Sequence, residues 1–398
     1  MTDLFWPGDH LAGAAMSDAA FLRAMIAVEQ AWLDVLVEAE IAPAAAAFTV
    51  PVEVDAERVA HGADVDGNPA SALVALLRER TPEPTSQWLH RGLTSQDVVD
   101  TALMLCLRDA VDRLTEEVAT QIGALVTLTE THRRTPMLAR TLTQAALPST
   151  VGAKVAVWLN GVLDAADPLA ALRAGLPAQL GGAVGTLAAV VELAGSIDGA
   201  LEVTERVAGR LGLAAVPPWH TTRAPLTRMG DALAGLCDAW GHLAADVATA
   251  SRTEIGEFAE GSGGGSSTMP HKHNPVRSVL IRRAALTAGP LAGTLHTAAA
   301  LSVDERADGG WHAEWATLAT LARRTVVAAV HTTELLAGLR VDSERAAANL
   351  AAAGDLGAEQ RTMAKLTGRQ PNPTYDGVTD RLVDATLDRA ADYLKDAP

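Results

Sequence analysis

Basic charge, cysteine and aromatic side chains are all in short supply in this chain, and each shortage closes a class of function. Against 48 Asp and Glu it carries only 32 Lys and Arg in 398 residues, a formal net charge of −16. A nucleic-acid binder normally shows a basic face or tail, so no nucleic-acid partner is expected. The same sign argues against adsorption to an anionic membrane. Two cysteines, Cys106 and Cys237, exclude a disulfide scaffold and a cysteine-rich zinc site. Both fall in apolar helical patterns and read as buried, reduced thiols. Aromatics number eight Trp, four Phe and two Tyr, while hydrophobic residues reach 48%. Such a core must be built from small and aliphatic side chains packed closely. The opening MTDLFWPGDH has no basic segment leading into an apolar one, so no secretory signal is expected. Two uncharged stretches, Ala284–Val303 and Ala174–Val191, approach membrane-span length but are broken by Pro, Gly and polar residues. They read as helices buried inside an oligomer, in a soluble cytoplasmic protein.

Alternating β-branched runs bounded by turn signals are nearly absent as well. What is present is helical periodicity. Val111, Leu114, Val118, Ile122 and Leu125 recur at steps of three and four, as do Met229, Leu233, Leu236, Trp240, Leu243 and Val247. Long apolar patterns also cover roughly 149–173, 276–300 and 311–338, with alanine, the best helix former, between. The fold class is therefore all-α. The breakers divide it into an N-terminal helical part (1–92), a central long-helix bundle (93–338) and a short C-terminal helical part (339–398).

The stretch with the most chemical content is Glu260–Pro275, EGSGGGSSTMPHKHNP. Four glycines in 261–265 give a backbone with little conformational preference, and Ser266 and Ser267 follow. A plain Gly/Ser linker accounts for 261–267 but not for the charged, proline-constrained continuation 270–275. No Gly-Lys-Ser/Thr step is present, which excludes a phosphate loop. His271 and His273 flank a lysine without a nearby Cys or carboxylate cluster, so no metal site is read there. A glycine-hinged segment carrying hydroxyls and a lysine beside a helix N-terminus suits a lid over an anionic ligand.

Gly265 to Pro275 resembles the G-S-S-x-M-P-x-K-x-N-P signature of the fumarase/aspartase superfamily. Two further segments agree in order: His90-Arg91-Gly92-Leu93-Thr94-Ser95-Gln96-Asp97 with Asp100-Thr101-Ala102, and Arg140-Thr141-Leu142-Thr143-Gln144. Within the superfamily the chain is most similar to the bacterial 3-carboxy-cis,cis-muconate cycloisomerases. Gly181–Ala188, Pro218-Trp219-His220-Thr221 and Glu305-Arg306 with Gly309-Gly310-Trp311 carry that likeness, which runs from about Leu4 to Gln370. Leu142 stands where many lyases of the superfamily have a histidine, which the cycloisomerase branch also lacks. Ala145 departs from that branch, where histidine often follows the glutamine.

The resemblance implies a three-part fold whose long helices assemble into a tetrameric core with shared active sites. It also implies a cofactor-independent, metal-free reaction on a small polycarboxylate. By that resemblance Ser266 is the catalytic base, and Lys272 and Asn274 bind a substrate carboxylate. Thr94 and Ser95 supply carboxylate-binding hydroxyls, Thr141 and Gln144 a second polar contact, and His90 and Arg306 are further binding candidates. The implied reaction closes 3-carboxy-cis,cis-muconate to a lactone in aromatic catabolism. The alternative is a fumarate-forming elimination from a substituted succinate. Read without the resemblance, Thr94-Ser95 with Asp97 is a helix cap. His132, His242, His296 and His331 are packing or surface residues, His220 sits in a loop where ligand contact is open, and Gly181–Gly185 is close backbone packing at a turn. The tryptophans read as core or interface anchors.

Overall fold

Apolar side chains at steps of three and four, with alanine between them, favour helix over any other local structure. The computed structural model, which describes residues 3–46, 56–261, 264–265, 268–269 and 272–396, is helical accordingly. Four helices come first: α1 (Asp18–Glu38), α2 (Ala56–Asp66), α3 (Pro69–Arg80) and the single turn α4 (Thr85–Trp88). The 37-residue α5 (Ser95–Thr131) leads into a hairpin of β1 (Pro136–Thr141) and β2 (Gln144–Thr150). Then follow α6 (Val151–Ala166), α7 (Leu169–Ala174), α8 (Ala188–Ala194), α9 (Ile197–Leu211) and α10 (Ala224–Ala250). A two-residue strand β3 (Phe258–Ala259), α11 (Val276–Ala300), α12 (Gly309–Gly338) and β4 (Arg340–Val341) precede α13 (Ser343–Ala352), α14 (Ala358–Thr367) and α15 (Thr379–Asp396).

Helix starts carry the residues that satisfy free N–H groups. Ser17, Asn68, Thr150 and Ser196 each accept, through the side chain, a backbone N–H three residues on. Pro69 occupies the first position of α3, where its missing N–H loses nothing. Gly212, at φ +65°, closes α9 in the left-handed conformation that glycine adopts most readily.

Two compact units interleave along the chain. The first comprises Met1–Arg113, Pro168–Leu233 and Gly289–Val326; the second comprises Leu114–Asp167, Ala234–Ala288 and Val327–Pro398. Because α5, α10, α11 and α12 each contribute to both, neither unit is a contiguous segment. The sequence division at 92 and 338 stands beside this as a proposal about segments. In the first unit Met25, Trp32, Leu33, Leu36, Leu73, Leu89, Met104 and Leu107 form the core, and α1 packs on α9. In the second, Leu114, Ile122, Trp158 and Trp240 are fully buried, and α6 packs on α15. There Gln121 joins three helices: its amide donates to the Ala329 carbonyl (3.0 Å), and its oxygen accepts from Trp240 Nε1 (2.8 Å).

Both periodic faces expected from the sequence, Val111–Leu125 and Met229–Val247, are buried. Cys106 and Cys237 are buried free thiols, and burial pushes the Cys106 thiol up to about 12. Two expectations change. The β1–β2 hairpin occupies a region with no strand signal, so the apolar pattern at 149–173 starts in β2 and is cut at Asp167-Pro168. Ala174–Val191, expected as buried helix, is mostly loop around Gly181–Gly185, with helix resuming only at Ala188. Positive φ at Gly182 (+68°) and Gly185 (+78°) explains the difference, since such backbone cannot continue a right-handed helix. The one stretch among the described residues apolar enough to cross a membrane, Val151–Ala174, is the one interrupted at Asp167-Pro168.

Candidate functional site

In the first unit a short loop carrying His90 and Thr94 delivers the chain into α5, whose first residue is Ser95. Asp97, on the first turn, organises it. One carboxylate oxygen accepts the Thr94 N–H (3.0 Å) and the Gly182 N–H (2.9 Å). The other accepts the Gly181 N–H (2.9 Å) and the Gln179 amide (3.1 Å). Four donors make a fully buried carboxylate tolerable. The cap expected from Thr-Ser-x-Asp is therefore also a tie to a loop 84 residues away. Thr94 is buried, and the Ser95 hydroxyl lies 3.4 Å from that of Ser71 at the start of α3.

Behind this turn lies His220. Its Nε2 accepts from the Gln179 amide (3.1 Å), while the Gln179 oxygen accepts the Trp219 N–H (2.7 Å). A side chain at Gly181 would collide with the His220 ring and Pro218, which is why the glycine-rich turn can pass there. His220 is buried.

Deeper in the first unit, Arg223 bridges two carboxylates with no exposure. It donates to Asp100 (2.7 and 3.1 Å) and to Glu314 (2.7 and 3.0 Å), and its guanidinium lies over the Trp219 ring. Burial alone would lower Arg223, but Asp100 and Glu314 outweigh it and hold its pKa above the ordinary value. For Glu314 burial prevails and raises the carboxyl. Trp311 Nε1 donates to Asp100 (2.9 Å), and Arg306 stands over the Trp311 ring (5.9 Å). Thus Arg306 joins the same cluster as the first turn of α5, to which Gln96 also donates (3.1 Å).

The remaining sequence candidates belong to the second unit. Thr141 and Gln144 pair across the tip of the β1–β2 hairpin and are exposed. Leu142 and Thr143 form its two-residue turn at φ +47° and +69°, with Leu142 95% exposed. Arg140, one pair back from the tip, is locked by a bidentate pair to buried Glu257 (2.8 and 3.0 Å). A cavity of about 560 Å³ opens beside the hairpin, lined by Arg140, Thr143, Lys154, His242, Asp246 and Arg252 among others. Its charges are largely matched internally: Lys154 Nζ and Trp158 Nε1 both donate to Asp246 (2.8 Å each).

Ser266 lies outside the described residues, as do Ser267 and His271. Both ends of the segment carrying it are fixed. Asn274 donates twice to the Gly264 carbonyl, through its backbone N–H (2.8 Å) and its side-chain amide (3.0 Å), and Gly265 bridges to His273. Gly264 sits at φ +77°, and a side chain there would meet the Asn274 backbone. Glu260 closes the entry. Its carboxylate accepts the N–H groups of Arg277 (2.9 Å) and Ser278 (2.8 Å) and the Ser278 hydroxyl (2.7 Å). The N-terminus of α11, expected to face an anionic ligand, is thus filled by a residue of the chain itself. Lys272 is exposed and without a side-chain partner among the described residues. Sequence reasoning missed Glu260, Arg223, Glu314 and Glu29, the partner of His90 (2.6 Å). For Arg223, Glu314 and Glu29 the partners lie 60 or more residues away, which an isolated charged residue does not signal, and Glu260 reaches Arg277 and Ser278 only by the folding back of the glycine-rich segment. Among the described residues no group of His, Cys, Asp and Glu is arranged to hold a metal ion.

A family profile described as Lyase matches residues 19–288. Nitrosuccinate lyase of Streptomyces davaonensis is 41% identical over 369 residues, covering 89% of this chain and 77% of the relative. A 3-carboxy-cis,cis-muconate cycloisomerase of Bradyrhizobium diazoefficiens is 38% identical over 352 residues, covering 85% and 76%. The crystal structure of 3-carboxy-cis,cis-muconate lactonizing enzyme from Pseudomonas putida superposes with a TM-score of 0.85 at 28% identity, covering 98% of this chain and 100% of that one.

Proposed function

This chain belongs to the lyase family of the fumarase/aspartase superfamily and is an enzyme of it; on that premise we propose that it cyclises 3-carboxy-cis,cis-muconate to 4-carboxymuconolactone without a cofactor. The observation that carries this reading is the end-to-end likeness to a lactonizing enzyme of that substrate. Leu142, in place of the superfamily's frequent histidine, supports the same branch.

In this reaction one substrate carboxylate adds through oxygen to the carbon–carbon double bond. The π pair moves toward the carbon next to a second carboxylate, giving an aci-carboxylate, and that carbon then takes a proton. Ser266 is the group that delivers it, or removes it in the reverse direction. A serine is far too weak a base at neutral pH unless local donors and positive charge stabilise its alkoxide. Lys272 supplies such charge. Thr94, Ser95, Thr141, Gln144, Asn274, His90 and Arg306 bind the carboxylates. The braced ends of the serine segment support this assignment, because a catalytic segment needs a rigid base.

A second reading rests on the 41% identity to a nitrosuccinate lyase. From nitrosuccinate the same serine would remove the proton next to a carboxylate. The C–H pair would form the double bond, and nitrite would leave with the C–N pair, giving fumarate. Following loss of diene absorbance from 3-carboxy-cis,cis-muconate, beside nitrite release from nitrosuccinate, separates the two. No absorbance loss at micromolar enzyme refutes the cyclisation. Ser266→Ala is expected to lower turnover at least a thousandfold on the true substrate with helicity unchanged; a near-native rate would refute the serine's role. Lys272→Ala is expected to impair binding and rate together.

The enzyme is further proposed to be a cytoplasmic homotetramer with active sites shared between subunits. Leu286 (76% exposed) and Val279 on α11, Leu301 just beyond its end and Val157 on α6 leave apolar surface that a partner would bury. A monomer by light scattering would contradict the assembly.

A further inference from the structure

His90 Nδ1 and Glu29 Oε1 lie 2.6 Å apart, joining the loop before α5 to α1. A carboxylate only accepts, so Nδ1 carries the proton and donates it. The second ring nitrogen, Nε2, is left without a partner among the described residues. The two side chains differ in burial: Glu29 is fully buried, whereas the His90 side chain keeps 18% of its exposure. Glu29 Oε2 is also buried, and it has no hydrogen-bond partner among the described residues. A buried carboxylate with one oxygen unserved is a poor way to stabilise a fold.

His90 also occupies a left-handed backbone conformation, φ +62°, which is unfavourable for any residue with a side chain. The surroundings enforce it. Arg78 donates to the Leu89 carbonyl (2.7 Å), Trp32 Nε1 to the Arg91 carbonyl (2.8 Å), and Arg91 Nε to the Gln87 carbonyl (2.6 Å). Gly92 follows at φ +89°, in a space where a side chain would crowd Val190, Leu193 and Trp32. Strain persists where the structure over-determines it, and it concentrates at sites of function. A packing histidine would need neither the strained backbone nor the half-served carboxylate. Together these features fix one thing, the direction of the His90 ring. Arg78 lies near both Arg91 and Glu29, so the loop has two cations beside it as well as the Glu29 and Asp97 carboxylates. Thr94 and Ser95 follow four and five residues later.

The geometry points to Glu29 as a positioning residue that sets the tautomer and orientation of His90, so that Nε2 meets a substrate carboxylate held at the Thr94–Ser95 loop. This deepens the proposed function and rests on its assignment of that loop to carboxylate binding. Asparagine tolerates the left-handed backbone but cannot place a ring nitrogen, so His90→Asn and Glu29→Gln are the variants to make, singly and together. With 3-carboxy-cis,cis-muconate or nitrosuccinate, whichever the native enzyme turns over, each single variant is expected to raise KM at least tenfold while kcat falls less than threefold. The double variant should be no worse than the weaker single one, because the two residues act as a unit. Glu29→Asp should recover part of the loss. A His90→Asn enzyme within twofold of native kcat/KM overturns the proposal, as do independent, multiplying effects. If Glu29→Gln fails to fold, His90→Asn alone decides.

Turnover of neither substrate by the native enzyme would remove the functional reading and leave the pair to be judged separately. The His90 Nδ1–H resonance in nitrogen-15 spectra gives that judgement. Its loss in Glu29→Gln upholds the orienting pair, and its unchanged persistence refutes it.

Discussion

Arg223 is the residue on which most buried charge depends. It is a lone guanidinium between two carboxylates, all three buried together. Breaking such a pair from the cationic side strands both anions, so Arg223→Met is expected to cost about 3–5 kcal/mol, a large share of a typical domain's stability. Thermal unfolding followed by circular dichroism measures it. Glu314 is the weaker partner. Its pKa is raised in the fold, chiefly by burial, so the folded state binds its proton more readily than the unfolded chain does. Its contribution is therefore fully present below the ordinary carboxyl value and lost as pH rises through the raised one. Glu314→Gln is expected to be far milder than Arg223→Met and to flatten that decline, read as melting temperature between pH 4 and 7. An equal loss in both variants would contradict this account. Little of the arrangement could be read beforehand. Asp97 was visible as a cap because the Thr-Ser-x-Asp spacing is local, whereas its glycine donors and the Arg223 partners come from distant stretches of chain.

At the scale of elements, helices were legible and the hairpin was not. Helical text repeats its signal over many turns, so α11 and α12 fall within two residues of the ranges read from sequence. The hairpin offers no Asn-Gly or Asp-Gly pair at its turn, which is the usual local signal. Leu142 and Thr143 adopt positive φ without the residues that favour it, and Thr143 is β-branched. The paired substitutions Leu142→Asn and Thr143→Gly are expected to stabilise the protein by about 1–2 kcal/mol, measured as a higher melting temperature in calorimetry. If Thr141 and Gln144 bind substrate as proposed, the same variant should lose turnover while gaining stability. No gain in stability would mean that the turn is unstrained. The serine segment was half legible. Its signature located Gly265–Pro275, but only the folded chain shows that Glu260 occupies the helix start behind it.

For the whole molecule, composition bounded the fold well and the ligand poorly. Scarce aromatics and abundant alanine matched a helical fold with small residues at close approaches, as where Gly241 meets Ala285. The interleaving of the two units was hardly legible: in α5 one apolar pattern runs unbroken across the boundary at Arg113/Leu114, and only in α11 does a breaker pair, Gly289-Pro290, fall where the units divide. A net charge of −16 disfavours polyanions, yet the proposed substrate carries three carboxylates. The long-range field should slow its capture, and added salt should screen that field. kcat/KM is accordingly expected to rise severalfold between about 10 and 150 mM salt. A fall over that range would show that local cations such as Lys272 dominate the approach.

Asp97 also sets a timetable. Of the donors to its carboxylate only the Thr94 N–H is local; those from Gln179, Gly181 and Gly182 lie 82 to 85 residues downstream. At roughly 5–20 residues per second, the ribosome needs about 4–17 s to make that stretch. Throughout this interval the longest helix has a start that the emerging chain cannot yet bury. The first unit needs the loop at 179–182, and later still Gly289–Val326, before it is complete, and a product truncated before that loop lacks the distant donors to this carboxylate.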